Sequence, residues 1–323
     1  MRSFDLLMMK KFLEKEDVER IVTYVGKKNR IFRVREGLVH FVYKIEGETG
    51  TVFLKIRGKN FSGIPRIETD PGLIRNEAKA IRLYSSYFPD IFPQILLYNK
   101  QKNYLLLTDI SRGKVCFEKR LNARQANEED FSFLGRKMGL VHRLTKQIVK
   151  SIRKDGDNEF REKQMLYLLG FLNHPKLNEV IERYRRTSSH LILGDPSPKN
   201  IYLEGGYLGI CDLEHAHQGY YTFELAHLIA HTIVHNLTNP KVEKFSTELI
   251  KGYLKEGGLE IHKDLLPYTV VGLVLYRLVS PVVPYNLPID ISGKKTFASF
   301  FKTMLRTKEL KLEGIFEILE RKK

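Results

Sequence analysis

The stretch 193–214 constrains the rest of the chain more than any other. Residues 193–200 read L-G-D-P-S-P-K-N. An apolar run, 191–193, delivers Asp195 to a turn in which Pro196 and Pro198 restrict the backbone, and Asn200 follows five residues after the aspartate. Residues 201–203 and 207–210 read as two short strands joined across Glu204-Gly205-Gly206, a hairpin that returns Asp212 to the same end as the loop. Two carboxylates and an amide oxygen thus converge. This set suits phosphoryl transfer: one carboxylate, Asp195, orients an attacking hydroxyl, while Asn200 and Asp212 hold magnesium ions that bridge nucleotide phosphates. Taken alone, D-x4-N is more often the pattern of an Asp-Pro turn before an ordinary hairpin, because short patterns recur by accident.

Further residues favour the first reading. Residues 211–217 read C-D-L-E-H-A-H, and Phe223-Glu224-Leu225-Ala226 follows. Together with 193–200 these resemble the aminoglycoside phosphotransferase and choline kinase-like family, relatives of the protein kinases. That family typically shows H-G-D-x-x-P-x-N, a hairpin, a D-x-E-like stretch and an aromatic-Asp-Leu-Ala element. Leu193 stands where the family usually has histidine, Ser197 where histidine or lysine is common, and Glu224 in place of the aspartate that braces the loop. None of these departures removes the base or a metal ligand.

The first third of the chain is patterned differently. Residues 14–25 have helical periodicity, and strand-like runs follow at 31–35, 39–45 and 51–57, with turns at Glu36-Gly37 and 46–50, as in an antiparallel meander. In the third run Val52, Leu54 and Ile56 alternate with Phe53, Lys55 and Arg57, so one face is apolar and the other carries Phe53 beside Lys55. A helix over 73–87 buries Ile74, Ala78 and Ile81 and places Glu77 at the edge of that stripe, where its carboxylate reaches Lys55. Two more strands, 94–98 and 104–108, complete a five-stranded sheet. The resemblance implies that Lys55 contacts the nucleotide phosphates and that Glu77 holds it in place. It also implies that Phe53 stacks on adenine, although an aromatic at this position is as readily a core residue. Backbone amides of the glycine turn at Gly37 would meet phosphates. The connection Thr108, Asp109 and Ile110 would bond adenine through main-chain groups.

From residue 126 the pattern becomes helical. The fold expected is α+β: a two-lobed protein kinase-like fold, with a small five-stranded antiparallel sheet plus helix and then a mostly helical lobe. Residues 1–108 form the nucleotide-binding lobe and 109–323 the catalytic and acceptor-binding lobe, with ATP between them. His142, near the end of one helix, reads as structural. Residues 154–160 read as an exposed, charged connection. The most apolar stretch, 268–283, contains Arg277 and Pro281 and is too short to span a bilayer, which makes it a buried helix.

A net charge of +16 would attract polyanions, but the basic residues are dispersed in short patches, as on a solvated surface, which argues against a nucleic-acid partner. Cys116 and Cys211 form no pair motif, and Lys10 and Lys11 interrupt the first apolar cluster, so a reducing, cytoplasmic location is expected. His227, His231 and His235 recur at four-residue spacing, which on one helix face suggests a metal. They lack the glutamate of H-E-x-x-H and span about two turns, so a helix-face or substrate-pocket role is the better reading.

The function expected is ATP- and Mg2+-dependent phosphorylation of a hydroxyl on a small molecule, such as a sugar, nucleoside, amino alcohol or aminoglycoside-like compound. Glu214, His215, Tyr220 and Glu224 are the candidate acceptor contacts. The alternative is a nucleotide-binding pseudokinase or scaffold with a basic RNA- or protein-binding surface, against which the retention of Lys55, Asp195, Asn200 and Asp212 stands. A protein kinase is not supported, since no Asp-Phe-Gly follows the hairpin and no Ala-Pro-Glu closes an activation loop.

Overall fold

A computed structural model describes residues 13–34, 37, 39–148, 164–186, 190–257, 260–280 and 287–320. Arg35 and Glu36 of the first strand and turn, the charged connection at 154–160, and the end of the apolar stretch at 281–283 lie outside the described residues. The chain packs as two units: Met1–Gly113 together with Gly209–Glu214, and Lys114–Leu208 together with His215–Lys323.

The first unit is built on an antiparallel sheet of β1 (Asn29–Val34), β2 (Phe41–Gly47), β3 (Thr51–Ile56), β4 (Ile95–Asn99) and β5 (Tyr104–Thr108), in the order β1-β2-β3-β5-β4. The alternation read from β3 sorts its side chains. Val52 and Leu54 join a core with Ile31, Ile45, Leu97 and Leu106, covered by Ile21 and Val25 of α1 (Lys15–Val25). Gly47 lets the end of β2 approach that helix, because a Cβ there would stand 1.8 Å from the Val25 carbonyl oxygen. Phe53 and Lys55 alternate onto the opposite face, where Lys55 meets Glu77 of α2 (Ile74–Tyr87), a helix that buries Ile74, Ala78, Ile81, Tyr84 and also Glu77.

The second unit is mostly helical: α3 (Phe117–Asn122), α4 (Glu128–Ile148), α5 (Pro175–Arg186), α6 (Tyr221–His235), α7 (Val242–Gly257), α8 (Leu266–Val279), α9 (Ile291–Met304) and α10 (Leu312–Glu320). Every residue of α6 is buried, and α8, which packs on it, is almost as enclosed. The expected buried helix is therefore present, in the company of a second. Helices α4 and α7 meet along a glycine seam: a Cβ on Gly135 would stand 2.1 Å from the Leu249 carbonyl oxygen, and one on Gly252 2.2 Å from that of Ser132. Backbone thus packs on backbone.

Short strands carry the loops. β6 (His190–Ile192) pairs antiparallel with β9 (His217–Gly219), a pairing with no clear sequence signal because each strand has three residues. β7 (Ile201–Glu204) and β8 (Tyr207–Ile210) form the expected two-stranded ribbon. Gly205 and Gly206 turn it with φ of 59° and 73°, the pair of positive angles that a two-residue hairpin turn demands. No helix among the described residues is long and apolar enough to cross a membrane.

Candidate active site

In the first unit the alternation of β3 carries Lys55 to the face covered by α2, where it is 5% exposed. Its Nζ lies 2.6 Å from Glu77 Oε1 and 2.6 Å from Asp212 Oδ1. Burial works against the ammonium charge, but the carboxylates of Asp212, Glu77 and Glu214 outweigh it, and the pKa is raised. Asp212 itself adopts φ 65°, a left-handed conformation unusual for a residue with a Cβ. The return of this segment is pinned by the Ile210 amide, which donates to the Ile91 carbonyl at 2.7 Å.

Two further residues complete this cluster. His40 is buried, with Nδ1 3.1 Å from Glu214 Oε2 and Nε2 3.7 Å from Glu77 Oε2. Arg57 Nη1 reaches the same Glu214 oxygen at 3.4 Å and is itself held by the Asp70 carbonyl and Thr69. Neither partnership was read from the sequence, where His40 is far from both Glu77 and Glu214. His40, Asp212 and Glu214 bring one ligand atom each within 4.8 Å of one another, so hard oxygens for a divalent cation are present here. Phe53 is half-buried and stands outside the sheet's core cluster. Gly37 lies near the Val42 side chain, and its carbonyl accepts from Ser62. The Thr108 hydroxyl accepts from the Gln94 amide, Asp109 Oδ1 caps the Ser111 amide at 2.7 Å, and Ile110 is buried.

In the second unit the L-G-D turn follows β6. Gly194 has φ 79°, and a Cβ on it would stand 2.1 Å from the His215 carbonyl oxygen, so this position admits only glycine without displacement. Glu224, one turn into α6, accepts from the amides of Leu193 (3.0 Å) and Gly194 (2.8 Å). Its other neighbour is His142 Nε2 at 2.7 Å, and His142 Nδ1 in turn meets the Tyr253 hydroxyl at 2.7 Å. The glutamate therefore braces the loop despite its extra methylene. Glu224 is fully buried, and Tyr220 is 4% exposed and packed on Tyr184 and Tyr221. Glu224 accordingly stands beneath the loop and not at a pocket rim.

Asp195 stands among bases. Its Oδ1 accepts from Ser197 Oγ and lies 3.5 Å from Arg277 Nη2, which is also 3.2 Å from His227 Nε2. Burial favours the neutral acid, yet Arg277, then Lys199, His227 and His215, bring the carboxyl down to about 2. His227 and His231 stack with ring centroids 5.2 Å apart, and His231 and His235 at 6.2 Å. Burial and the Arg277 charge push His227 down to about 3 and His235 to about 4, and hold His231 well below its ordinary value. Asp195, His227 and His231 also approach within 4.8 Å. Asn200 is 6% exposed, and its Nδ2 position has no hydrogen-bond partner. Turned about its last side-chain bond, the amide would place an oxygen at that position, which fits a hard cation.

No family model and no curated protein matches the sequence. Solved structures do. An amicoumacin kinase in complex with AMP-PNP, Ca2+ and Ami is similar over 93% of this chain and 95% of its own, at 15% identity and a TM-score of 0.56. A microcompartment-associated aminopropanol kinase covers 90% and 96%, at 12% identity and 0.57. A choline kinase from Cryptosporidium parvum Iowa II covers 93% and 95%, at 13% identity and 0.50. The chain has the protein kinase-like fold of the aminoglycoside phosphotransferase and choline kinase-like family.

Proposed function

We propose that this chain is an ATP- and Mg2+-dependent phosphotransferase that phosphorylates a hydroxyl of a small molecule. The observation that carries the reading is the position of Lys55 Nζ, 2.6 Å from both Glu77 and Asp212. A lysine is a flexible point charge, and two carboxylates fix where that charge is presented. Lys55 would then bind nucleotide phosphates, with Glu77 positioning it. Asp212 in the first unit and Asn200 in the second are the residues that would hold magnesium, which would supply charge neutralisation on the phosphates. Gly37, Phe53 and the 108–110 segment would complete the nucleotide contacts. The AMP-PNP and Ca2+ named with the amicoumacin kinase support a nucleotide and a divalent cation in a protein of this fold.

In the reaction, the acceptor oxygen forms a bond to the γ-phosphorus of ATP as the bond to the β,γ-bridging oxygen breaks and ADP leaves. The hydroxyl proton passes to Asp195 and on to solvent. A carboxylate with a pKa of about 2 is a weak base, so its main task is to accept the hydroxyl's hydrogen bond and aim the oxygen. That suits a loose phosphoryl-transfer transition state, in which the nucleophile needs little activation.

The test is a magnesium-dependent thermal shift with ATP, followed by ADP release over a panel of hydroxyl compounds. Both should be positive. Nucleotide binding without turnover on any acceptor would leave a nucleotide-binding scaffold instead.

A further inference from the structure

We propose that the acceptor is an anionic hydroxyl compound, whose carboxylate or phosphate group is received by Arg277 beside Asp195. This rests on the phosphotransfer reading, which places the acceptor hydroxyl at Asp195. Arg277 is the one charged residue of α8, a helix otherwise apolar or neutral and almost entirely buried. A guanidinium brought into such a helix must be held by specific partners. It stands with Nη2 3.5 Å from Asp195 Oδ1 and 3.2 Å from His227 Nε2. Any group one or two bonds from a hydroxyl held by Asp195 falls within reach of it.

The surroundings agree in sign. The charged groups that act most strongly on Asp195 are Arg277 and then Lys199, both of them cationic. An ammonium substituent next to the reacting hydroxyl would be repelled there, whereas an anion would be attracted. The His227 ring is neutral, so its Nε2 accepts from Arg277 without taking up the guanidinium charge.

The acids that would serve a cationic acceptor are engaged elsewhere. Both oxygens of Glu224 hold the amides of Leu193 and Gly194, and one also meets His142. Glu214 Oε2 is held by His40 and Arg57 within the first unit. Glu224 is thus not left to recognise an ammonium, and one oxygen of Glu214 is already taken.

The experiment uses the full chain. Calorimetric titration without nucleotide would compare hydroxycarboxylates, beginning with D-glycerate, and sugar phosphates, beginning with glucose 6-phosphate, against choline, ethanolamine and glucosamine. ADP release is then followed with each compound and Mg-ATP. Anionic compounds should bind at least ~10-fold tighter than the cationic ones, and which anionic set binds separates carboxylate from phosphate recognition. Arg277→Gln should weaken their binding ~100-fold and Arg277→Lys less, with the ATP-induced thermal shift retained as proof of folding. If Arg277→Gln does not fold, Arg277→Lys carries the same contrast. Tighter binding of cationic compounds, absence of anionic binding, or anionic binding unchanged in the variants overturns the inference. Arg277-dependent anionic binding with no ADP release would uphold it and sink the phosphotransfer reading, and turnover confined to cationic acceptors would do the reverse.

Discussion

Glu224 Oε2 lies 2.7 Å from His142 Nε2, and neither side chain is exposed to solvent. The same carboxylate holds the Leu193 and Gly194 amides, so one acid satisfies three buried donors at the base of the Asp195 loop. Glu224→Ala should therefore destabilise the chain by about 3 kcal/mol or more, since three buried donors lose the acceptor they share. Urea unfolding of wild type and variant measures it. A loss within about 0.5 kcal/mol, as for an ordinary surface change, would show that the brace is dispensable.

Lys55 and Asp195 should separate binding from chemistry. Lys55→Met removes the charge proposed to meet the phosphates and is expected to lower turnover by about 100-fold to 1,000-fold. It should also weaken the ATP-induced thermal shift. Asp195→Ala should lower turnover by ~100-fold to 10,000-fold while leaving that shift largely intact. Full transfer activity in the Asp195 variant would remove it from the reaction.

Acid should weaken the second unit before it touches the loop aspartate. His190 and His227 are pushed down to about 3, His235 to about 4 and His231 well below normal, in each case mainly by burial. In the unfolded chain these rings titrate near about 6.5, so between the two values the unfolded state binds more protons. Their contribution to stability is complete above about pH 6.5 and declines as the pH falls toward 3. Asp195 adds a loss only below about pH 4, because its folded value is also depressed. Urea midpoints at pH 7.5, 6 and 5 should fall in that order, with proton uptake on unfolding at pH 5. A flat series would mean that these rings are not held neutral.

Much of this was legible in the sequence where the signal was local. The alternation at 51–57 placed Lys55 opposite the core, and Glu204-Gly205-Gly206 announced the turn that returns Asp212. What escaped were partnerships across long stretches of chain. Arg277 meets Asp195 from 82 residues away, and His142 meets Glu224 at the same separation. In the sequence the arginine only interrupted an apolar run, and periodicity records which face a residue takes, not its partner. The β6–β9 pairing was missed for a related reason: three residues are too few to show alternation.

Close backbone approaches supply the fourth test. Gly194→Ala should destabilise the chain by more than about 1 kcal/mol, because φ 79° disfavours a side chain and the new methyl would press on the His215 carbonyl. It should also reduce turnover, since Asp195 is the next residue. Gly252→Ala, in the seam of α4 and α7, should cost about 1–3 kcal/mol through overpacking against Ser132. Catalysis per folded molecule should be unchanged there, and activity divided by folded fraction separates the two cases.

The six-residue return, Gly209–Glu214, belongs with Met1–Gly113 although nearly a hundred residues of other structure intervene. No single cut in the gene can therefore yield the first unit whole. A fragment ending at Gly113 would keep Glu77 for Lys55 but lose Asp212, and would deprive both His40 and Arg57 of Glu214. Chimaeras that exchange this unit between proteins of the fold would have to transplant two separate gene segments. Circular permutation with new ends between Glu214 and His215 would keep Lys55 ahead of the return segment and make that segment the end of the chain, so that the whole first unit would lie on the C-terminal side.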